Sequence, residues 1–220
     1  YNNLSNRAKT IKPSAIRKYF AVPDDVISLG IGEPDFDSPA CVIEAGVHAL
    51  QSGKTHYTAN SGLTELREAI SDDLYRRYRV RYDPNSEIIA TVGCSEALFL
   101  ALAALIDPGD EVIVITPCFV AYQASVLLAS GIVVEVPCKF ENNFDLDIAA
   151  VEAAITPKTK AILLGFPCNP TGAVASREEL QKLCDIAIAH NLAIVSDELY
   201  DQLVYGIEHV CVPSLNGGFE

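Results

Sequence analysis

The sequence predicts an α/β protein, three layers deep (α/β/α), built around a mostly parallel, mixed sheet. Three observations carry this. Apolar runs of strand length recur from about residue 87 to residue 197, with helical patterns between them. These runs lack polar alternation, which marks strands buried on both faces, and helices covering both faces of a parallel sheet provide that burial. The chain of 220 residues, half of them hydrophobic, is long enough to bury a sizeable core.

The elements follow in order. Pro13, Pro23, Pro34 and Pro39 punctuate a loop-rich opening. Helices are expected over Pro39–Gln51 and Leu63–Tyr78, the second with Leu63, Leu66, Ile70 and Leu74 on one stripe. Glu87–Val92 is a short β-branched run, read as a strand, and Ser95–Ile106 a helix. The apolar stretch Ala97–Ile106 within that helix points to burial. Pro108-Gly109-Asp110 is a turn into the strand Glu111–Thr116. A helix over about Phe119–Ala129 and a strand over Ile132–Val136 come next, separated by Gly131. Asp147 is an N-cap candidate for a helix to Ile155, and Lys160–Leu164 is another buried strand. Ser176 and Glu179 form a capping box for a helix to His190. Ala193–Val195 opens a last strand, ending at Ser196-Asp197.

Composition narrows the function. Sixteen Lys plus Arg against 29 Asp plus Glu leave a net charge of −13, which repels nucleic acid and anionic membrane. The seven cysteines (41, 94, 118, 138, 168, 184, 211) are odd in number and contain no C-x-x-C pair. They predict neither a disulfide framework nor a zinc ribbon, but small buried side chains in a reducing cytoplasm. No run approaches the roughly 20 apolar residues of a membrane span. The chain opens without an initiator and closes on Gly217-Gly218-Phe219-Glu220, so it is read as a fragment.

In open α/β sheets ligands bind beyond the carboxyl ends of the strands, so the residues after each predicted strand are the candidates. Gly93-Cys94-Ser95-Glu96 opens a helix, where free N–H groups and a hydroxyl suit a phosphate; a plain helix cap is the alternative. Pro117-Cys118-Phe119 offers an aromatic that either stacks on a flat ligand or sits in the core, with Tyr122 one turn on. Gly165-Phe166-Pro167-Cys168-Asn169-Pro170-Thr171-Gly172 is a rigid loop that aims the Asn169 amide, unless it is only a turn. Asp197 ends a buried strand, where a carboxylate needs a cation or several donors, and no Lys or Arg is near it in sequence. A helix-capping aspartate is its bland alternative. Taken together with Tyr200, these features fit one ligand: a flat, phosphorylated heteroaromatic with a basic nitrogen and an oxygen substituent. Pyridoxal phosphate meets each condition.

These residues resemble those of the class I/II aminotransferases of pyridoxal-phosphate fold type I, aspartate aminotransferase-like, over essentially the whole chain. The stretches that carry the likeness are Gly32-Glu33-Pro34-Asp35-Phe36, His56-Tyr57-Thr58, Gly62-Leu63, Leu66-Arg67, Asn169-Pro170-Thr171-Gly172 and Asp197-Glu198-Leu199-Tyr200. The resemblance implies an N-terminal arm and part of a small domain over residues 1–45, and the cofactor-binding large domain over 46–220. It implies pyridoxal 5'-phosphate as cofactor, with Cys94 and Ser95 on its phosphate, Phe119 stacked on its ring, and Asp197 on its ring nitrogen. Asn169 and Tyr200 would bond its phenolic oxygen. Tyr57 would reach the phosphate of the neighbouring subunit in a homodimer. Gly32, Phe119 and Asn169 would line the substrate pocket, and ping-pong transfer from an amino acid to a 2-oxo acid would follow. The family's Schiff-base lysine comes a few tens of residues after the Asp197–Tyr200 stretch, in a Ser-x-Ser-Lys or similar setting. It would therefore lie beyond Glu220, so this chain alone is expected to be inactive. Lys54, Lys139, Lys158, Lys160 and Lys182 stand in other contexts, on solvated loops or helix surfaces.

Other readings compete. Lyases acting on C–S bonds, other fold type I lyases and cyclopropane-carboxylate synthases share the same cofactor residues. Gly93-Cys94-Ser95-Glu96-Ala97 approaches a nucleophile elbow, and with Asp197 and His209 in chain order it suggests a serine hydrolase, although the second glycine is alanine. Gly30-x-Gly32 and Gly53-Lys54-Thr55 lack the remaining glycines of nucleotide-binding loops. A non-enzymatic cofactor-binding regulatory domain would need a DNA-binding segment, and none is visible.

Overall fold

A computed structural model describes residues 3–11, 23, 25–27 and 32–219. Pro13, Gly30 and Glu220, named above, lie outside the described residues. The chain divides into two compact units, Lys12–Asn60 and Tyr1–Ile11 with Ser61–Glu220. In the first, helix α2 (Ala40–Gln51) follows Pro39 and has no buried residue; Val42, Ile43, Val47 and Leu50 are all exposed.

The second unit contains α1 (Asn6–Thr10) and, after α3 (Thr64–Tyr78) and α4 (Gly93–Leu105), a strand–helix alternation. β1 (Glu111–Thr116), α5 (Ala121–Leu128), β2 (Ile132–Pro137), α6 (Ile148–Ala153), β3 (Thr159–Gly165), α7 (Arg177–His190) and β4 (Ala193–Asp197) follow in turn. The strands pair in the order β2-β1-β3-β4, and every pair is parallel. The predicted mixed sheet is thus purely parallel among the described residues.

The period-2 alternation of the strands separates two cores. Val112, Val114, Ala161 and Leu163 face Leu98 and Leu102 of α4 and Tyr122 and Val126 of α5. Ile113, Ile115, Ile162 and Leu164 face Val151 of α6 and Leu180, Leu183 and Cys184 of α7. This is the three-layer arrangement expected from the sequence. The predicted caps also form. Asp147 accepts from the Ala150 N–H at 3.0 Å, and Ser176 and Glu179 make both halves of the capping box.

Several expectations need correction. Glu87–Val92 forms no strand. Its Ala90 N–H reaches the Ser61 carbonyl at 2.9 Å, but no described strand pairs with it, and β-branched residues make a strand only where a neighbour supplies the ladder. The α3 stripe is rotated: Leu63 and Leu66 are exposed, whereas Arg67 and Ser71 are buried. Ser71 donates to the Tyr82 carbonyl at 2.6 Å and Arg67 to the Pro84 carbonyl, so hydrogen bonding to segment 82–84 decides which face turns inward. Helix α4 buries only one stripe, with Phe99, Leu100 and Leu105 exposed. Of the cysteines, 138, 184 and 211 are buried, 94, 118 and 168 are half-buried and Cys41 is exposed; all are free. Lys160 lies on β3, exposed, rather than on a loop or a helix.

Candidate functional site

The connections place the site. From β1 the chain crosses through α5 to β2 on one side. From β3 it crosses through α7 to β4 on the other side, over the opposite face. The loops leaving the carboxyl ends of β1 and β3 therefore diverge and open a crevice between them, the usual ligand position in such a sheet. Phe119 leaves β1 into this crevice and Asn169 leaves β3. Helix α5 starts at Ala121, later than expected, so Phe119 stays in the loop rather than on the helix.

Strand alternation then decides which of two adjacent carboxyl groups enters. Asp197 shares its face of β4 with Val195, on the side of α4 and α5, whereas Glu198 shares the side of Ile194. The Asp197 Oδ2 accepts from the Tyr122 hydroxyl at 2.9 Å and from the Cys94 thiol at 3.5 Å. Its Oδ1 accepts from the Leu199 N–H at 3.2 Å. Burial, and then the neighbouring Asp197, push the Cys94 thiol up to about 11 and the Tyr122 phenol well above its ordinary value. Both groups therefore keep their protons and act as neutral donors. No ion pair reaches Asp197 among the described residues.

A pocket is lined by Cys94, Phe119, Tyr122, Asn169, Asp197 and Tyr200, together with Pro167 and Leu199. Phe119 meets Tyr122 edge-on, with ring centroids 6.2 Å apart. The Asn169 amide nitrogen lies 3.4 Å from the Tyr200 hydroxyl. Ser95 is exposed in the first turn of α4. Five residues singled out from sequence thus share one pocket, and Ser95 adjoins it in sequence. Gly32 and Tyr57 belong to the unit Lys12–Asn60, where both are exposed.

The opposite side of β4 holds groups that sequence reasoning did not assign to the site. Glu198 Oε2 lies 2.9 Å from His209 Nε2, and its Oε1 accepts from the Val212 N–H at 2.9 Å and the Ser196 hydroxyl at 3.0 Å. Burial pushes Glu198 up, but the bonds from His209, Val212 and Cys211 outweigh it and hold the carboxyl below the usual glutamate range. Three residues further, Asp201 meets Arg77 and the Tyr78 hydroxyl of α3. These groups pin the segment that carries Asp197 and Tyr200. No local pattern announces them, because their partners lie far apart in sequence. The arrangement also removes the hydrolase alternative: His209 is engaged by Glu198 on one side of β4 while Asp197 faces the other, so Ser95, His209 and Asp197 form no relay.

The family model described as aminotransferase class I and II matches residues 24–218. The chain belongs to this family. Among similar aminotransferases, the aspartate aminotransferase of Pyrococcus abyssi is 44% identical over 99% of this chain and 57% of its own length. The aromatic-amino-acid aminotransferase 2 of Thermococcus litoralis is 42% identical over 99% of this chain and 57% of its own. A solved structure of Thermus thermophilus aspartate aminotransferase with maleate superposes with a TM-score of 0.91 at 41% identity, covering 97% of this chain and 57% of that one. The chain thus spans little more than half the length of these aminotransferases. Their names do not favour the lyase alternative.

Proposed function

We propose that the chain is the cofactor-holding part of a pyridoxal-phosphate-dependent aminotransferase, which moves an amino group from an amino acid to a 2-oxo acid. The observation that carries this reading is Asp197. Its carboxyl group faces a pocket and is met by a phenol, a thiol and one backbone N–H, with no cationic side chain in ion-pair contact among the described residues. A protonated pyridine nitrogen supplies the missing cation, and the aromatic ring, amide and second phenol of the same pocket suit the rest of that ring.

Pyridoxal phosphate, when bound, supplies an electron sink for the pair left on the substrate's α-carbon. In this reading Asp197 keeps the proton on the ring nitrogen, Phe119 holds the ring plane, and Asn169 and Tyr200 donate to its phenolic oxygen. Backbone N–H groups of Cys94 and Ser95, with the Ser95 hydroxyl, hold the phosphate at the start of α4. Phe119 and Asn169 line the place of the substrate carboxylate, and Tyr57 completes the phosphate site of a second subunit. The exposed apolar residues of α2 support a homodimer. The covalent lysine, which is also the general base, is supplied from outside residues 1–220. Residues 1–45 serve as arm and part of a small domain, and 46–220 as the large domain. The names of the relatives support an aspartate or aromatic amino donor. Seven free cysteines support a cytoplasmic setting, and no described helix is long and apolar enough to cross a membrane.

Calorimetric titration with pyridoxal phosphate tests the reading. The chain is expected to bind it, and Asp197→Ala to weaken binding at least about tenfold, the effect of losing one charge-assisted bond. A chain that does not bind, or an Asp197→Ala variant that binds equally well, sinks the reading. Turnover by the 220-residue chain with an amino acid and 2-oxoglutarate would refute the external lysine.

A further inference from the structure

We infer that Tyr122 and Cys94 are positioning residues that clamp one oxygen of Asp197 and so aim the carboxylate at the ring nitrogen of the cofactor. The inference rests on the reading above and adds Tyr122 to it, with a side-chain role for Cys94. Three observations carry it. The Tyr122 hydroxyl and the Cys94 thiol come from different helices, α5 and α4, yet both end on the same Oδ2, at 2.9 and 3.5 Å. Tyr122 is almost fully buried, so its hydroxyl has been taken from water to make this bond. The strand next to Asp197 has been cleared to admit it. Gly165, the register partner of Asp197 on β3, would carry a Cβ only 2.0 Å from the Tyr122 hydroxyl oxygen. Gly165 does not have a positive φ. Its conformation therefore does not demand glycine; the space taken by the phenol does.

The consequence is directional. A carboxylate on a single χ2 axis sweeps its oxygens through a broad range, because that torsion has no sharp staggered wells. Two donors on Oδ2, and the Leu199 N–H on Oδ1, fix that rotation. Both side-chain donors are neutral, so they orient the group without competing with a cationic ligand for its charge. A lysine or arginine in their place would neutralise Asp197 before the ring arrived.

The test compares pyridoxal phosphate with its 1-deaza analogue, in which carbon replaces the ring nitrogen, by calorimetric titration of the chain and its variants. The wild type is expected to prefer pyridoxal phosphate. Tyr122→Phe keeps the ring and removes only the hydroxyl, so it should weaken pyridoxal phosphate by about tenfold and the analogue by less than about twofold. Gly165→Ala, which displaces the phenol, should narrow the preference in the same way, and Cys94→Ala should narrow it by a smaller factor. A purely structural role for Tyr122 would weaken both ligands equally, and that result overturns the inference. So does an unchanged preference in Tyr122→Phe. If Tyr122→Phe does not fold, Cys94→Ala decides alone: a narrowed preference supports the clamp and an unchanged one overturns it. A wild type that binds neither ligand fails the function proposed above and the clamp with it. A wild type that binds both, with no variant altering the ratio, fails the clamp alone.

Discussion

Replacing His209 by alanine tests how firmly the segment carrying Asp197 is held. His209 is buried, its side chain 4% exposed, and it stands 2.9 Å from Glu198, itself 18% exposed. Removing one partner of a fully buried ion pair costs about 3–5 kcal/mol. Glu198 here keeps the Val212 N–H and the Ser196 hydroxyl. The expected loss for His209→Ala is therefore smaller, about 1–3 kcal/mol, close to one hydrogen bond to a charged group plus the lost edge contact with Tyr78. At about 2–4 °C per kcal/mol for a chain of this size, the thermal midpoint should fall by roughly 2–12 °C. Circular dichroism melts of the wild type, His209→Ala, Glu198→Gln and the double variant give the coupling directly. The sign with pH is fixed. Glu198 has a folded pKa below its ordinary 4.5, so its contribution is complete above that value and is lost as the pH falls through the lowered one. The gap between wild type and Glu198→Gln should close on acidification. A midpoint within about 1 °C of wild type for His209→Ala, or strict additivity in the double variant, refutes the argument.

Two further outcomes follow from local geometry. Ser176→Ala removes the hydroxyl that accepts from the Glu179 N–H and should cost about 1 kcal/mol in a denaturant melt, with pyridoxal phosphate binding unchanged. Gly62→Ala should cost more than Ser176→Ala in the same melt. It places a Cβ 2.7 Å from that of Ala90 at a backbone φ of +93°, a region that disfavours side chains by about 1–2 kcal/mol before any clash.

The clamp on Asp197 also bears on how the pocket tolerates change. Its two side-chain donors lie on α4 and α5, which share one core with Val195, the residue two before Asp197. A substitution in that core, such as at Leu98 or Val126, has a direct route to the orientation of the carboxylate. The core on the other face, with Leu183 and Ile162, reaches the site through Glu198 and its partners and through Phe166 and Cys168 of the loop that carries Asn169.

Sequence alone determined the parts whose cause is local. Ser176 and Glu179 are three residues apart and close their capping box wherever the helix lies. The run Glu111–Thr116 has no polar alternation and becomes a central strand with its four inner residues buried. Phe119, Asn169, Asp197 and Tyr200 could be suspected because they stand at or after the ends of such strands. Tertiary structure decided whatever depends on partners remote in the chain. Glu87–Val92 has a strand's composition but no ladder among the described residues, and α3 turns inward on Arg67 and Ser71 because segment 82–84 offers carbonyls there. The side of β4 that Asp197 faces, the 75-residue separation that Tyr122 spans to reach it, and the engagement of His209 by Glu198 are likewise set by packing. A hydrogen bond requires its atoms within about 3 Å, and only the folded chain determines which distant residues come that close.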